Sequence, residues 1–293
     1  SVVLSSHNGA RTLPLTLASF EQVTPPKSGV EFIAIDNAST DSTYNLLSSH
    51  SSRLQMTVLN EPRPGKSYAI NLGLRSAQGD LIIFTDDDVI VDPDWLLAYE
   101  KAAATYPDVA LFAGQVRHYW ETRPPEWLEA LAREGRSYAG TPIDLSDGPV
   151  SDRYVKGPNF MVRRSVIEQF KFSEAPGINF TGQGSAQGGE ETEFVKRALA
   201  HGHELYHVSD ARVQHIVRKE QIGVIPVFKR YVRIGRAAVL QSNDVSTYKG
   251  PRIFGYPRYL YKTIPRDIVR ISYKWLRGRR YEAGNELVDL GLL

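Results

Sequence analysis

Short apolar runs rich in β-branched residues alternate with helical patterns along residues 1–115. The runs at 2–5, 31–35, 56–59, 81–85 and 109–113 predict strands, and the stretches at 13–23, 41–49, 67–77 and 93–106 predict helices. Asp92 before Pro93 predicts a helix start, because the cap precedes a ring with no N–H to lose. Strands that alternate with helices need crossover connections, so the expected sheet is mostly parallel. Ligands of such sheets bind beyond the carboxyl ends of the strands.

Between 115 and 150 the pattern breaks into Pro124-Pro125, scattered tryptophans and a Gly/Asp/Ser-rich end. This reads as a long connection with one short helix at 126–133, followed by a second αβ region to about 216 and a mostly helical remainder. A content of 42% hydrophobic and 23% charged residues is that of a globular protein. The net charge of +2 and the absence of a recognition motif argue against nucleic acid. Without cysteine there is no disulfide, thiolate nucleophile or zinc finger, which fits a reducing compartment. No apolar run approaches the roughly 20 residues that span a bilayer. The chain opens on Val2-Val3-Leu4 without an initiator Met or a basic-then-apolar leader, which predicts a start inside a longer gene product.

Three strand ends are polar: Ser5-Ser6-His7-Asn8, Asp36-Asn37-Ala38-Ser39-Thr40-Asp41 and Thr85-Asp86-Asp87-Asp88. Three adjacent carboxylates repel one another unless a cation or donors compensate. Oxygen ligands of this kind suit Mg²⁺ or Mn²⁺ shared with substrate phosphates. The plainer role, an acidic loop capping the next helix, is already filled by Asp92. A second acidic group, Gly188-Gly189-Glu190-Glu191-Thr192-Glu193, opens a helical run. The helix dipole favours carboxylates there, while Gly182, Gly184, Gly188 and Gly189 suggest a backbone bent closely around something. A carboxylate at the base of such a loop suits a general base, and both readings stand on pattern alone. Lys66, after Pro64-Gly65, sits where a cation approaches phosphates. It is not a P-loop lysine, since Asn60 stands where that motif needs glycine.

These motifs, with Gly157-Pro158-Asn159-Phe160-Met161-Val162-Arg163-Arg164 between them, occur in the order of the family 2 glycosyltransferases, which the chain resembles from residue 1 to about 240. The resemblance implies a GT-A fold: a Rossmann-like, mostly parallel central sheet with flanking helices. Residues 1–216 would be the catalytic domain, with a nucleotide-binding half at 1–115 and an acceptor and base half at 116–216. Residues 217–293 would be a helical extension. It implies inverting, Mn²⁺- or Mg²⁺-dependent transfer of a sugar from a nucleoside diphosphate sugar to an acceptor hydroxyl, in polysaccharide or glycolipid assembly. By carry-over Asp88 is the main metal ligand, with Asp86 and His215, and Asp86 and Asp87 face the ribose, donor sugar or metal. Asp36 receives base or ribose groups, and His7, Asn8 and Lys66 stand on the donor side. Glu191 is the base, and Gly157, Asn159 and Glu190 border the transferred sugar or the acceptor. Where the family has Glu-Asp this chain has Glu190-Glu191, one methylene longer. A nucleotidyltransferase and a non-catalytic nucleotide-sugar-binding protein are the alternatives.

Trp120 and Trp127 are candidate acceptor contacts, with ordinary packing as the other reading. Lys229, Arg230, Arg233 and Arg236 recur at helical spacing; they form either a solvated face, the usual role of a charge run, or a contact with the donor diphosphate or an acceptor phosphate, for which Arg230 and Tyr231 are the candidates. In residues 248–280 the single acid is Asp267. Ile264, Ile268, Ile271 and Trp275 form one predicted stripe, with Arg266, Arg270, Lys274 and Arg277 opposite. A basic amphipathic helix of this kind either lies on an anionic membrane surface through 256–280 or packs on the catalytic domain or on a second subunit, as a homodimer. The expected location is cytoplasmic, peripheral to the inner face of the membrane, and the expected partners are a nucleotide sugar and a glycan or lipid-linked acceptor.

Overall fold

The computed structural model describes residues 1–174, 189–241, 250–253, 256–258 and 260–292. Gly182, Gly184 and Gly188 lie outside the described residues, as does the side chain of Arg236. The first four strands, β1 (Val2–Ser6), β2 (Phe32–Asn37), β3 (Met56–Glu61) and β4 (Leu81–Asp86), are parallel, with Val2 opposite both Phe32 and Ile83. With β5 (Val89–Val91), β6 (Leu111–Trp120), β8 (Phe160–Arg163) and β9 (Leu205–Val217) the sheet order is β3-β2-β1-β4-β8-β6-β9-β5, and β7 (Gly148–Pro149) pairs with β9. β8 is antiparallel to both of its neighbours, so β4 and β6 point the same way, and β6 and β9 are parallel. The carboxyl ends of β1, β2, β4, β6 and β9 therefore open on one edge of the sheet.

The strands bury both faces, which is why their apolar runs are nearly continuous. Val2, Leu4, Phe32 and Ala34 pack with α1 (Leu13–Phe20), α2 (Thr43–Leu54) and α4 (Trp95–Thr105). The alternate residues Val3, Ile33, Ile35 and Phe84 pack with α3 (Lys66–Ser76), α6 (Arg164–Gln169) and α7 (Glu190–Ala200). The predicted start of α4 moves: the helix begins at Trp95 behind Asp94, while the Asp92 carbonyl accepts from the Trp95 amide in a preceding turn. β6 also runs to Trp120, well past the predicted end at 113, because β9 pairs along its whole length through a register shift at Gly114/Gln115.

The connection and the carboxy-terminal helices form a third core, built on α5 (Glu126–Arg133), α8 (Val224–Gln241), α9 (Leu260–Leu276) and α10 (Arg280–Leu292). Trp127 is only 4% exposed, 5.7 Å from the Trp275 ring, and a Cβ on Gly284 would come within 2.7 Å of it. It is a packing residue and not an acceptor contact. The predicted α9 stripe also splits. Ile271 turns inward, Ile264 and Ile268 stay exposed, and Arg270 and Lys274 pair with Glu286 of α10 at 2.9 and 2.7 Å. Those two cations are spent inside the protein, because α10 returns along α9 with its acids facing them. Among the described residues no helix is long and apolar enough to cross a membrane.

Candidate active site

The apolar run of β4 ends at Asp86, and Asp87 and Asp88 turn the chain into β5. β5 lies antiparallel to β9, with Val89 opposite His215, and the Ile216 amide donates to the Asp88 carbonyl at 2.8 Å. This brings His215 Nε2 within 3.2 Å of Asp88 Oδ2. Burial alone would raise the Asp88 pKa, but the His215 contact, with Lys66 and Arg218 nearby, holds it below the ordinary value. Asp87 accepts from Ser6 Oγ, and its pKa is pushed up to about 7 by burial and by Asp88. Gly9 packs so closely on this carboxylate that a Cβ would lie 2.9 Å from Asp87 Cγ.

Two glycines at positive φ deliver the opposite wall. Gly65 (φ 144) leads into α3 and Gly189 (φ 113) into α7, backbone conformations that L side chains rarely adopt. They place Lys66 at the start of one helix and Glu190 and Glu191, both buried, at the start of the other. Lys66 Nζ donates to Asp86 Oδ1 at 2.6 Å and also to Glu191 Oε1, joining positions 125 residues apart. Burial would depress the Lys66 pKa, but Asp86, Glu191 and Glu190 outweigh it and hold the ammonium well above its ordinary value. Asp86 is raised by burial and by Asp88 and Glu191, which Lys66 only partly offsets. Burial and the Glu191 charge push Glu190 up to about 8, so it is protonated at neutral pH, and its Oε2 is buried without a hydrogen-bond partner among the described residues. Gly157 sits against this group: a Cβ there would lie 2.6 Å from Glu191 Oε1 and 3.2 Å from Lys66 Nζ.

A cavity of about 210 Å³ lies between these walls, lined by Ser5, Ser6, His7, Asn37, Lys66, Asp86 and Asp87. His7 is fixed by Nδ1 on the Asn37 carbonyl at 2.7 Å. Asp36 is 3% exposed, and its Oδ1 has no hydrogen-bond partner among the described residues, leaving an acceptor at the end of β2. Asn8 is elsewhere: it is exposed, and its Oδ1 accepts from the Thr40 amide at 2.8 Å, stapling two loops rather than lining the cavity. Asn37 was not singled out from the sequence, although it stands in a quoted motif. Its Oδ1 accepts from the Gly65 amide at 2.8 Å and its Nδ2 donates to the Arg63 carbonyl at 2.7 Å, so it sets the loop that aims Lys66.

Asn159 is fully buried and faces inward. Its Oδ1 accepts from Trp95 Nε1 and Tyr99 OH, both at 2.8 Å, and its Nδ2 donates to the Gln115 and Ala211 carbonyls at 3.0 and 2.8 Å. Its side chain ties strands together and, being fully buried, does not line the cavity. Trp120 is half-buried, stacked 5.3 Å from His118 and edge-on to Tyr138 at 5.7 Å. Arg230 and Tyr231 part company: Tyr231 is buried in the third core, while Arg230 lines a second cavity of about 200 Å³ with Tyr138, Glu220, Gln221, Pro226, Lys229 and Arg233.

Among the described residues no three His, Cys, Asp or Glu side chains converge as a ready cation site. The Asp86 oxygen facing the cleft is taken by Lys66, whereas Asp88 and His215 face each other. An oxygen and an imidazole donor together fit a divalent cation whose other ligands come from a bound diphosphate and water.

The doubly wound sheet and its acidic carboxyl edge define a GT-A protein. The chain belongs to glycosyl transferase family 2, whose model matches residues 1–170. It is 25% identical to the succinoglycan biosynthesis protein ExoM of Rhizobium meliloti over 214 residues, 72% of this chain and 65% of that protein. It is 28% identical over 112 residues to the poly(ribitol-phosphate) β-N-acetylglucosaminyltransferase TarS of Staphylococcus aureus, 37% of this chain and 18% of that protein. The chain thus spans less than two thirds of either relative. In fold it is similar to the mannosyltransferase PcManGT from Pyrobaculum calidifontis, solved with GDP-Man and Mn²⁺ (TM-score 0.58, 16% identity, 99% of this chain and 85% of that one).

Proposed function

We propose that the chain transfers a sugar from a nucleoside diphosphate sugar to an acceptor hydroxyl with inversion, Glu191 acting as the base. The observation that carries this reading is the single Lys66 ammonium bridging Asp86 and Glu191, which puts the acidic turn after β4 and the start of α7 in one cleft. On this reading Asp36, with its partnerless oxygen, receives the nucleoside, and Ser6 and Asp87 line the donor cavity. Asp88 and His215 would hold Mn²⁺ or Mg²⁺, which as a Lewis acid offsets the charge that develops on the leaving diphosphate. Glu191 takes the acceptor hydroxyl proton as the oxygen attacks the anomeric carbon and the diphosphate leaves, and Lys66 keeps that carboxylate oriented. Glu190, protonated beside it, adds no second negative charge to the approach of the acceptor. The GDP-Man and Mn²⁺ in the structurally similar mannosyltransferase support the same donor chemistry.

Glu191→Gln should lower kcat by about 10²–10⁴-fold with little change in nucleoside diphosphate binding. Glu191→Asp, which restores the family's shorter carboxylate, should keep more of the rate than Glu191→Gln. Release of nucleoside diphosphate from a panel of sugar nucleotides with Mn²⁺ measures both; release of pyrophosphate instead would mean nucleotidyl transfer. Full activity in Glu191→Gln would remove the base from this carboxylate.

A further inference from the structure

The second cavity stands beside the carboxyl ends of β6 and β9, on the same edge of the sheet as the donor cavity at β1, β2 and β4. Lys229, Arg230 and Arg233 line it, and among the described residues no carboxylate pairs with any of them. Glu220, the one acid that lines it among the described residues, is engaged by Arg11 and lies 3.9 Å from Arg218. The Arg230 guanidinium is held 5.2 Å over the Tyr138 ring. Tyr138 OH in turn donates to the Gln221 carbonyl at 2.5 Å. Tyr138 and Ala139 are successive non-glycine residues at φ 43 and 56, a costly backbone that sets the ring beneath the guanidinium. Arg230 lies within electrostatic reach of Asp88, and His118, packed 6.3 Å from Tyr138, within that of His215.

Cations without a carboxylate partner among the described residues, gathered in a concave site and braced by an aromatic ring, call for an anion. Paired guanidinium bonds match phosphate oxygens. We propose that this cavity is a phosphate-binding subsite for the acceptor, taking a phosphomonoester or phosphodiester group carried near the hydroxyl that receives the sugar. The inference rests on the glycosyl-transfer reading for its name, but the binding event does not. On the proposed function the donor's nucleoside takes the other cavity, lined by Lys66, Asp86 and Asp87, and its diphosphate meets the cation at Asp88 and His215.

Inorganic phosphate and methyl phosphate, titrated calorimetrically into the whole chain, test it. Binding should persist when UDP or GDP is saturating. It should weaken about tenfold or more in Arg230→Gln and in Arg233→Gln, the loss of one charge-assisted contact. Arg230→Lys should recover part of the affinity. Lys229→Gln, at an exposed position that does not endanger folding, should weaken binding as well. No phosphate binding, or binding indifferent to all three Gln variants, overturns the subsite. Displacement of phosphate by UDP or GDP assigns the cavity to the donor and overturns the acceptor reading. Because the titration needs no turnover, its failure leaves the transfer reaction standing, and absence of sugar transfer leaves the titration readable.

Discussion

Asn159 shows how much a single buried amide can hold. It answers Trp95, Tyr99, Gln115 and Ala211 at once, in a place closed to water. Asn159→Ala would strand all four partners, and each unmet buried group costs about 1–3 kcal/mol. Chemical denaturation should therefore show a loss of more than about 3 kcal/mol, whereas a residue that only touched substrate would leave stability unchanged. In the sequence Asn159 is one polar residue in a strand-entry motif, next to Gly157, which does reach the Glu191 carboxylate. Nothing local separates the two, because their difference lies in which way the chain faces after the sheet is assembled. Asp86 and Asp87 are the opposite case. A row of acids behind an apolar strand announces an electrostatic problem by itself, and only its compensation by Lys66 and Ser6 needs the fold.

At the scale of elements, α9 and α10 are clamped by Glu286 between Arg270 and Lys274. Burial would raise the Glu286 pKa, but hydrogen bonds from Lys274 and Arg270 prevail and hold it below its ordinary 4.5. A depressed carboxylate binds its proton more weakly in the folded protein than in the unfolded chain. Its contribution is thus complete above about pH 4.5 and fades as pH falls through the lower folded value. Melting temperature followed from neutral to acid pH should fall more steeply in the wild type than in Glu286→Gln, which starts lower and lacks that step. Identical slopes would mean that the clamp carries no stability. Helical period alone set Arg270 and Lys274 on an outward basic face. Their true neighbours come from a second helix, which the periodicity of the first cannot report.

At the scale of the whole molecule, α10 packs on α5 and α8 through close contacts at glycine. Gly284 meets Trp127 of α5, and Gly291 meets Tyr231 of α8, with a Cβ at either position falling 2.7 or 2.6 Å from its neighbour. Gly284→Ala should overpack this seam and cost about 1–3 kcal/mol. Limited proteolysis should then release the α9–α10 segment sooner while the sheet survives; unchanged cleavage would show that the seam yields freely. What the sequence by itself determined was the alternation of strands and helices, the mostly parallel sheet that follows from it and the acids at its strand ends, because these follow from periodicity and from neighbours along the chain. What only the tertiary structure decided was which groups meet: Lys66 with Glu191, His215 with Asp88, Trp127 with α10, and Arg230 with a cavity of its own. Those meetings depend on β8 inserting antiparallel between β4 and β6 and on helices returning across the sheet edge. Such long-range order is settled by the joint packing of surfaces from distant parts of the chain, and no local pattern encodes it.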